Sequence, residues 1–216
     1  MELDVPSKFL SLFVIVLMSY SNNLMAHTVS FKGAHALNFS NSDEMSMWTY
    51  NYSRTPKNSL GANYYRFDLA GKSERFYFLE TNFLLKRWNE LSSQGNLYLS
   101  LGQGVSETKT QYHSDVAIEA DWETRKYYTA FKTQGILNHK DSSKNIYYTK
   151  YRVGFAPYLA EFDQINTWII LETKYVNKMK EEFSITPFVR LFYQNFLMEI
   201  GISNKGTSEF NFMVHI

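Results

Sequence analysis

Three groups of residues in this sequence carry side chains that could do chemistry. The first is the run "QYHSD", which sets His113 beside Ser114 and Asp115. A serine hydroxyl becomes a nucleophile when an imidazole within hydrogen-bond reach takes its proton, so this run is where acyl transfer would be sought. On a strand, adjacent side chains point to opposite faces, and His113 cannot serve Ser114 from the next position. The sequence has no G-x-S-x-G elbow and no glycine-rich phosphate loop. The run is expected to be a solvated external turn, and Ala at His113 or Ser114 is expected to be silent.

The second group is the histidines. A cut after Ala26 would make His27 the N-terminal residue, whose amine and imidazole could chelate copper or zinc with a second histidine, His215 being a candidate. The five histidines show no H-x-H or H-x3-H spacing, and no cofactor is expected. The third group is a set of charges that fall on the polar alternates of apolar combs: Arg66, Glu80, Glu119, Asp121, Lys126, Lys150, Arg152, Glu172, Lys174, Arg190 and Glu199. Mixed signs at such positions suit an interior ion-pair network, or the lining of a pore.

The combs themselves must position these charges. "VAIEADW" puts Val116, Ile118, Ala120 and Trp122 on one face against Ala117, Glu119 and Asp121 on the other. The same period of two runs through Leu97, Leu99 and Leu101, through Phe183 to Leu191, and through Phe196 to Ile202. Strand segments are expected at 28–37, 45–53, 60–67, 76–87, 95–105, 116–122, 125–135, 146–156, 165–176, 183–192, 196–202 and 209–216. Segments of this length, apolar on one face and separated by turn residues, are the signature of a membrane-spanning β-barrel. A soluble barrel or sandwich also alternates, with its apolar face turned inward. Aromatics at strand ends, among them Trp48, Trp88, Trp122, Tyr147 and Trp168, favour the membrane form because rings gather at the two interfaces. "GQG" at Gly102 to Gly104 falls inside a strand and predicts a bulge or bend.

Bulk properties narrow the classes further. The chain has 216 residues, a formal net charge of +1 and no cysteine, which excludes a disulfide framework, a thiolate metal site and a lipid-anchored cysteine. With so little net charge, no nucleic-acid partner is expected. "FLSLFVIVLM" is too short to span a bilayer and reads as the core of a secretory signal peptide, residues 1–26, ahead of a single barrel domain, 27–216. No apolar run after Ala26 approaches the length of a membrane helix.

The exported, cysteine-free chain of alternating strands that ends on "FNFMVHI" resembles small Gram-negative outer-membrane β-barrel proteins of the porin-like kind. In that family the last strand is an alternating apolar segment read by the barrel-assembly machinery, and its final residue is usually Phe or Trp. Here Ile216 stands at that place, and the match rests on Phe210, Phe212 and Val214. The resemblance implies an all-β, antiparallel, up-and-down barrel of about twelve strands, with eight or ten as alternatives, in the bacterial outer membrane. Its partners would be the lipid bilayer, lipopolysaccharide and the assembly machinery. The function expected is a narrow channel or a structural or adhesive barrel without enzymatic activity. Two alternatives stand beside it: a lipid-modifying outer-membrane hydrolase, and a periplasmic metal-binding sandwich built on His27. If the last strand closes the barrel, Phe210, Phe212, Val214 and Ile216 face lipid, Asn211 and His215 face the lumen, and Asn211→Asp is expected to be tolerated.

Overall fold

The computed structural model describes residues 29–216 apart from 70, 108–110 and 162, so the expected signal peptide and His27 lie outside the described residues. Twelve strands follow one another: β1 His35–Asn41, β2 Met45–Thr55, β3 Asn58–Leu69, β4 Lys72–Asn89, β5 Ser93–Ser106, β6 Tyr112–Thr124, β7 Tyr127–Asn138, β8 Ile146–Phe155, β9 Asn166–Val176, β10 Phe183–Tyr193, β11 Phe196–Ile202 and β12 Ser208–His215. Every strand pairs antiparallel with its sequence neighbour, and β1 pairs with β12, so the sheet is a closed barrel. Closure leaves no unpaired edge, the condition a sheet must meet inside lipid. An eleven-residue strand tilted by about 40° rises roughly 28 Å, which matches the apolar thickness of a membrane.

The two faces are chemically inverted relative to a water-soluble barrel. Leu60, Leu79, Leu101, Val116, Ile118, Val153, Ile169, Leu171, Ile185, Val189 and Ile200 stand exposed on the outside. From β5 through β12 the outward positions carry no charged side chain among the described residues. Outward rings mark both ends of this belt: Tyr64, Tyr77, Tyr112 and Tyr147 at one, Trp88, Trp122, Tyr127 and Tyr193 at the other. That is the arrangement of a protein solvated by lipid between two wet interfaces.

The start of β1 and the end of the chain lie at the same end of the barrel, where His35 N donates to Ile216 O and Ile216 N to His35 O. The connections at this end are two or three residues long, except for 156–165 between β8 and β9. At the far end they run from two to seven residues. The connections at the far end are therefore only a little longer than those at this end, and the long 156–165 connection runs against that difference.

Two strand starts and one expected bulge change from the sequence reading. β1 begins at His35 and not at residue 28, because Gly33 sits at φ +90° in a turn held by Ala34 N to Phe31 O at 3.1 Å, with Gly33 N donating to Ser53 O at 2.7 Å. β6 begins at Tyr112, so "YHSD" is strand and not loop. The only register shift along β4 and β5 falls between Leu84 and Lys86, and "GQG" pairs in register. Gly104 is there for closeness: a Cβ on it would lie 2.1 Å from Tyr77 O and 2.5 Å from the Phe78 ring.

Candidate functional site

The lumen is where the charges meet, and its filling is layered along the barrel axis. Toward the end away from the termini, Met45, Met47, Tyr65, Phe67, Phe76 and Phe78 from β2 to β4 pack across the interior against Ile136, Ile146, Tyr148 and Val176 from β7 to β9. Phe67 and Phe76 meet edge to face, with centroids 6.2 Å apart. These are all inward alternates of their strands, so the apolar seal follows from the same period of two that sets the outer belt.

Below the seal lies a polar layer. On the β8 to β12 side, Glu199 accepts from Arg190 Nε at 2.6 Å, from Arg152 Nη2 at 2.8 Å and from Asn211 Nδ2 at 2.8 Å. Arg152 Nε lies 3.1 Å from Glu172, and Lys174 Nζ lies 2.6 Å from Glu209, whose other oxygen accepts from Thr186 at 2.8 Å. Arg190 also stacks on Tyr128 at 4.6 Å and Arg152 on Phe188 at 5.4 Å. Each guanidinium thus meets at least one carboxylate and a ring, which suits its planar, weakly hydrated cation.

On the opposite wall, Gln134 Nε2 donates to both oxygens of Asp115 at 2.9 and 2.8 Å, and Lys132 Nζ lies 3.7 Å from Glu119. Asn82 links Asn51 at 2.8 Å, Ser59 at 3.2 Å and Ser100 at 2.5 Å, and Arg87 reaches Asp121 through Asn96. Glu80 is buried between the two clusters.

Solvent exposure decides whether this interior is a wet passage. Glu80, Asp115, Arg152, Glu172, Lys174, Arg190 and Glu199 are each at most 9% exposed. Lining groups of a water-filled channel would be accessible along its length. A cavity at the barrel end away from Ile216, lined by residues that include Glu44, Lys174, Lys205 and Glu209, holds only about 10 Å³. That is about the space of one water-sized sphere.

Of the charges singled out from the sequence, Glu80, Glu119, Asp121, Lys150, Arg152, Glu172, Lys174, Arg190 and Glu199 stand on inward alternates. Two do not. Arg66 lies between the buried inward rings of Tyr65 and Phe67 and therefore points outward, near the end of β3, where Nη2 donates to Ser42 O at 3.3 Å and Asp43 O at 3.2 Å. Lys126 occupies the two-residue turn between β6 and β7, its ammonium 5.9 Å from the Tyr127 ring. Asp115 and Glu209 join the interior without having been singled out. Asp115 escaped because "QYHSD" read as loop, although extending the "VAIEADW" alternation backward by one residue would have placed it.

The histidines do not gather, and no cluster of three metal-ligating side chains occurs among the described residues. His215 is buried with Nε2 3.3 Å from Met213 Sδ. In β12 the inward alternates are Glu209, Asn211, Met213 and His215; Phe210 and Phe212 stand half-buried on the other alternation, where Val214 is covered at 4% exposure, and Ile216 after the strand is exposed. His113 points into the lumen and Ser114 outward, as strand geometry requires.

No known family pattern and no curated protein matches the sequence. Among solved structures the chain is similar to a KdgM porin, at 11% identity, over 84% of this chain and 97% of that one, with a TM-score of 0.49. The KdgM porin in complex with disordered oligogalacturonate gives 12% identity, the same coverages and a TM-score of 0.49. OccAB4 of Acinetobacter baumannii gives 10% identity over 82% of this chain and 56% of that one, with a TM-score of 0.41.

Proposed function

We propose that this chain is an outer-membrane barrel of the bacterial envelope whose lumen is sealed by its own side chains, a structural barrel and not an open channel. The observation that supports this is the burial of the Arg152, Arg190 and Glu199 cluster and of the Lys174–Glu209 pair beneath an apolar layer that crosses the barrel, while Lys132 and Glu119 on the opposite wall keep 24% and 33% of their side-chain surface. Ion pairs this dry hold neighbouring strands together, and breaking one strands a charge without water. In this reading lipid and lipopolysaccharide solvate the outer belt, and the assembly machinery engages the outward rings of β12.

The test is planar-bilayer recording of the purified protein in detergent. The expected result is a folded, heat-modifiable barrel that gives no steady conductance. Regular single-channel steps from that same material would return the function to the narrow-channel alternative.

A further inference from the structure

The belt from β5 to β9 is apolar or hydroxylic at its outward positions with one exception. Gln103 of β5 donates from Nε2 to Ser114 Oγ of β6 at 2.8 Å, and Ser114 Oγ lies 2.8 Å from Nε2 of His139, which follows β7 directly. The outward neighbours along and across these strands are Leu101, Val105, Tyr112, Val116 and Leu137. An amide, a hydroxyl and an imidazole joined in a row on a surface otherwise made for lipid need a reason, because polar groups at such places are costly and tend to be functional. The barrel does not require them, since the lumen holds the structural polar network.

The loop that carries His139 is braced. Asn138 Oδ1 accepts from the amides of Lys140 and Asp141 at 2.8 and 2.9 Å, and Lys178 Nζ donates to the carbonyls of Ser143 and Asn145 at 2.6 Å each. Asn138 N donates to Asn145 Oδ1 at 2.9 Å. The imidazole is thus presented by a pinned turn, as a base acting on a fixed serine must be. On the other side of Gln103, a hollow of about 520 Å³ opens on the outer face, lined in part by Trp48, Tyr50, Ala62, Tyr64, Tyr77 and Gln103. It faces the membrane, so what fills it is hydrocarbon. One of its ends is the amide that begins the polar row.

We propose that Ser114, His139 and Gln103 form a serine acyl-hydrolase site on the lipid-facing wall, taking a long-chain carboxylic ester whose acyl chain lies in the hollow. Ser114 Oγ attacks the ester carbonyl carbon and its proton passes to His139 Nε2. The Gln103 amide, which carries two protons, donates to the oxyanion that forms. The bond from carbon to the alcohol oxygen breaks, and His139 returns the proton to the departing alcohol. Water then attacks the acyl-serine, giving its proton through His139 to Ser114 Oγ, so that ester and water become acid and alcohol. Ser114 sits two residues inside Tyr112, at the depth of the interfacial rings where lipid esters lie. Sequence reading missed the site because it tested Ser114 only against its neighbour His113 and rejected that pair, whereas the partner comes from just past the next strand's end, 25 residues away.

The experiment uses the full chain folded in detergent micelles. A long-chain fluorophosphonate is added, the adduct is mapped by mass spectrometry, and p-nitrophenyl palmitate turnover is followed in parallel. The expected result is one adduct, on Ser114, and turnover lost in Ser114→Ala. In His139→Ala turnover should fall by about 100-fold or more, the usual worth of a positioned base. Ala62→Trp, which fills the hollow, should slow palmitate far more than p-nitrophenyl acetate. Heat-modifiable migration checks that each variant is folded, and labelling of the unaltered protein needs no variant. Absence of a Ser114 adduct, or turnover equal in the unaltered protein and Ser114→Ala, would overturn the assignment. Turnover with palmitate and acetate slowed alike in Ala62→Trp would overturn the place given to the acyl chain.

Discussion

Phe39 of the first strand stands directly opposite Phe212 of the last, and this pair lies within the seam that closes the barrel. Phe212 also faces Met198 across the other ladder, so its ring shares the outer face with both neighbours of β12. Deleting β12 would expose two rows of unpaired backbone groups to lipid, each costing several kcal/mol. Truncation after Thr207 is expected to abolish the heat-modifiable form in membranes. Phe212→Lys should weaken folding by about 2–4 kcal/mol if its charge sits at mid-bilayer. Normal insertion of the truncated chain would break the link between closure and assembly.

The neighbouring position reverses an expectation from sequence. Asn211→Asp looks harmless on a polar lumen face, but Asn211 Nδ2 donates to Glu199 Oε2 at 2.8 Å. The substitution sets a second carboxylate against one that is 1% exposed. It is expected to lower the urea midpoint of the folded barrel in detergent, whereas Asn211→Ser should come closer to the unaltered protein.

Glu199 itself is the centre of the network, since it faces both Arg152 and Arg190. Glu199→Ala should cost about 3–5 kcal/mol, the usual result of leaving buried charge uncompensated. Replacing all three by Leu and Met, together with Glu172→Gln so that no buried carboxylate loses its Arg152 partner, should recover most of that loss. A Glu199→Ala protein as stable as the original would mean that water reaches the guanidiniums and that the lumen is open.

Strand order, closure and outward face were legible in the sequence because each depends only on a period of two and on turn residues, which local residue types carry. What was illegible depended on parity at strand ends. "YYR" at Tyr64 to Arg66 and "QYHSD" at Gln111 to Asp115 hold few apolar markers, so a slip of one residue sent Arg66 inward and Asp115 into a loop. The contact of Ser114 with His139 lies beyond any local signal, because it is made by the arrival of β7 beside β6 and by the way the loop turns back.

Gly104 offers a test of packing between β4 and β5. Any side chain there would drive its Cβ into the Tyr77 carbonyl, at 2.1 Å, and into the Phe78 ring. Backbone cannot yield as a flexible side chain can, so the strands must part. Gly104→Ala should destabilise the barrel by about 1–3 kcal/mol or more. Gly135→Ala, whose nearest contact would be 3.4 Å from the end of Leu137, should be nearly neutral. Equal effects in a thermal unfolding assay would contradict the close approach.

Asp141 begins the short 3-10 turn of the β7 to β8 loop, outside the membrane span, and accepts from Ser143 N at 3.1 Å and Ser143 Oγ at 2.6 Å, with Lys144 Nζ at 2.9 Å. These contacts favour the carboxylate, the Ser143 hydroxyl most, and hold its pKa down at about 2 against an ordinary value near 3.8. A depressed carboxylate stabilises the turn at any pH above its unfolded value, and that contribution fades as pH falls through the folded value. Carbon-13 NMR of the Asp141 carboxyl in detergent should therefore show a midpoint near the lower figure, and Ser143→Ala should move it upward. The turn should keep its order throughout the range in which enzymes and pores are assayed, so any loss of function between pH 4 and 8 must come from elsewhere. A midpoint at the ordinary value would show that the cap is not formed, and would remove one support from the loop that presents His139.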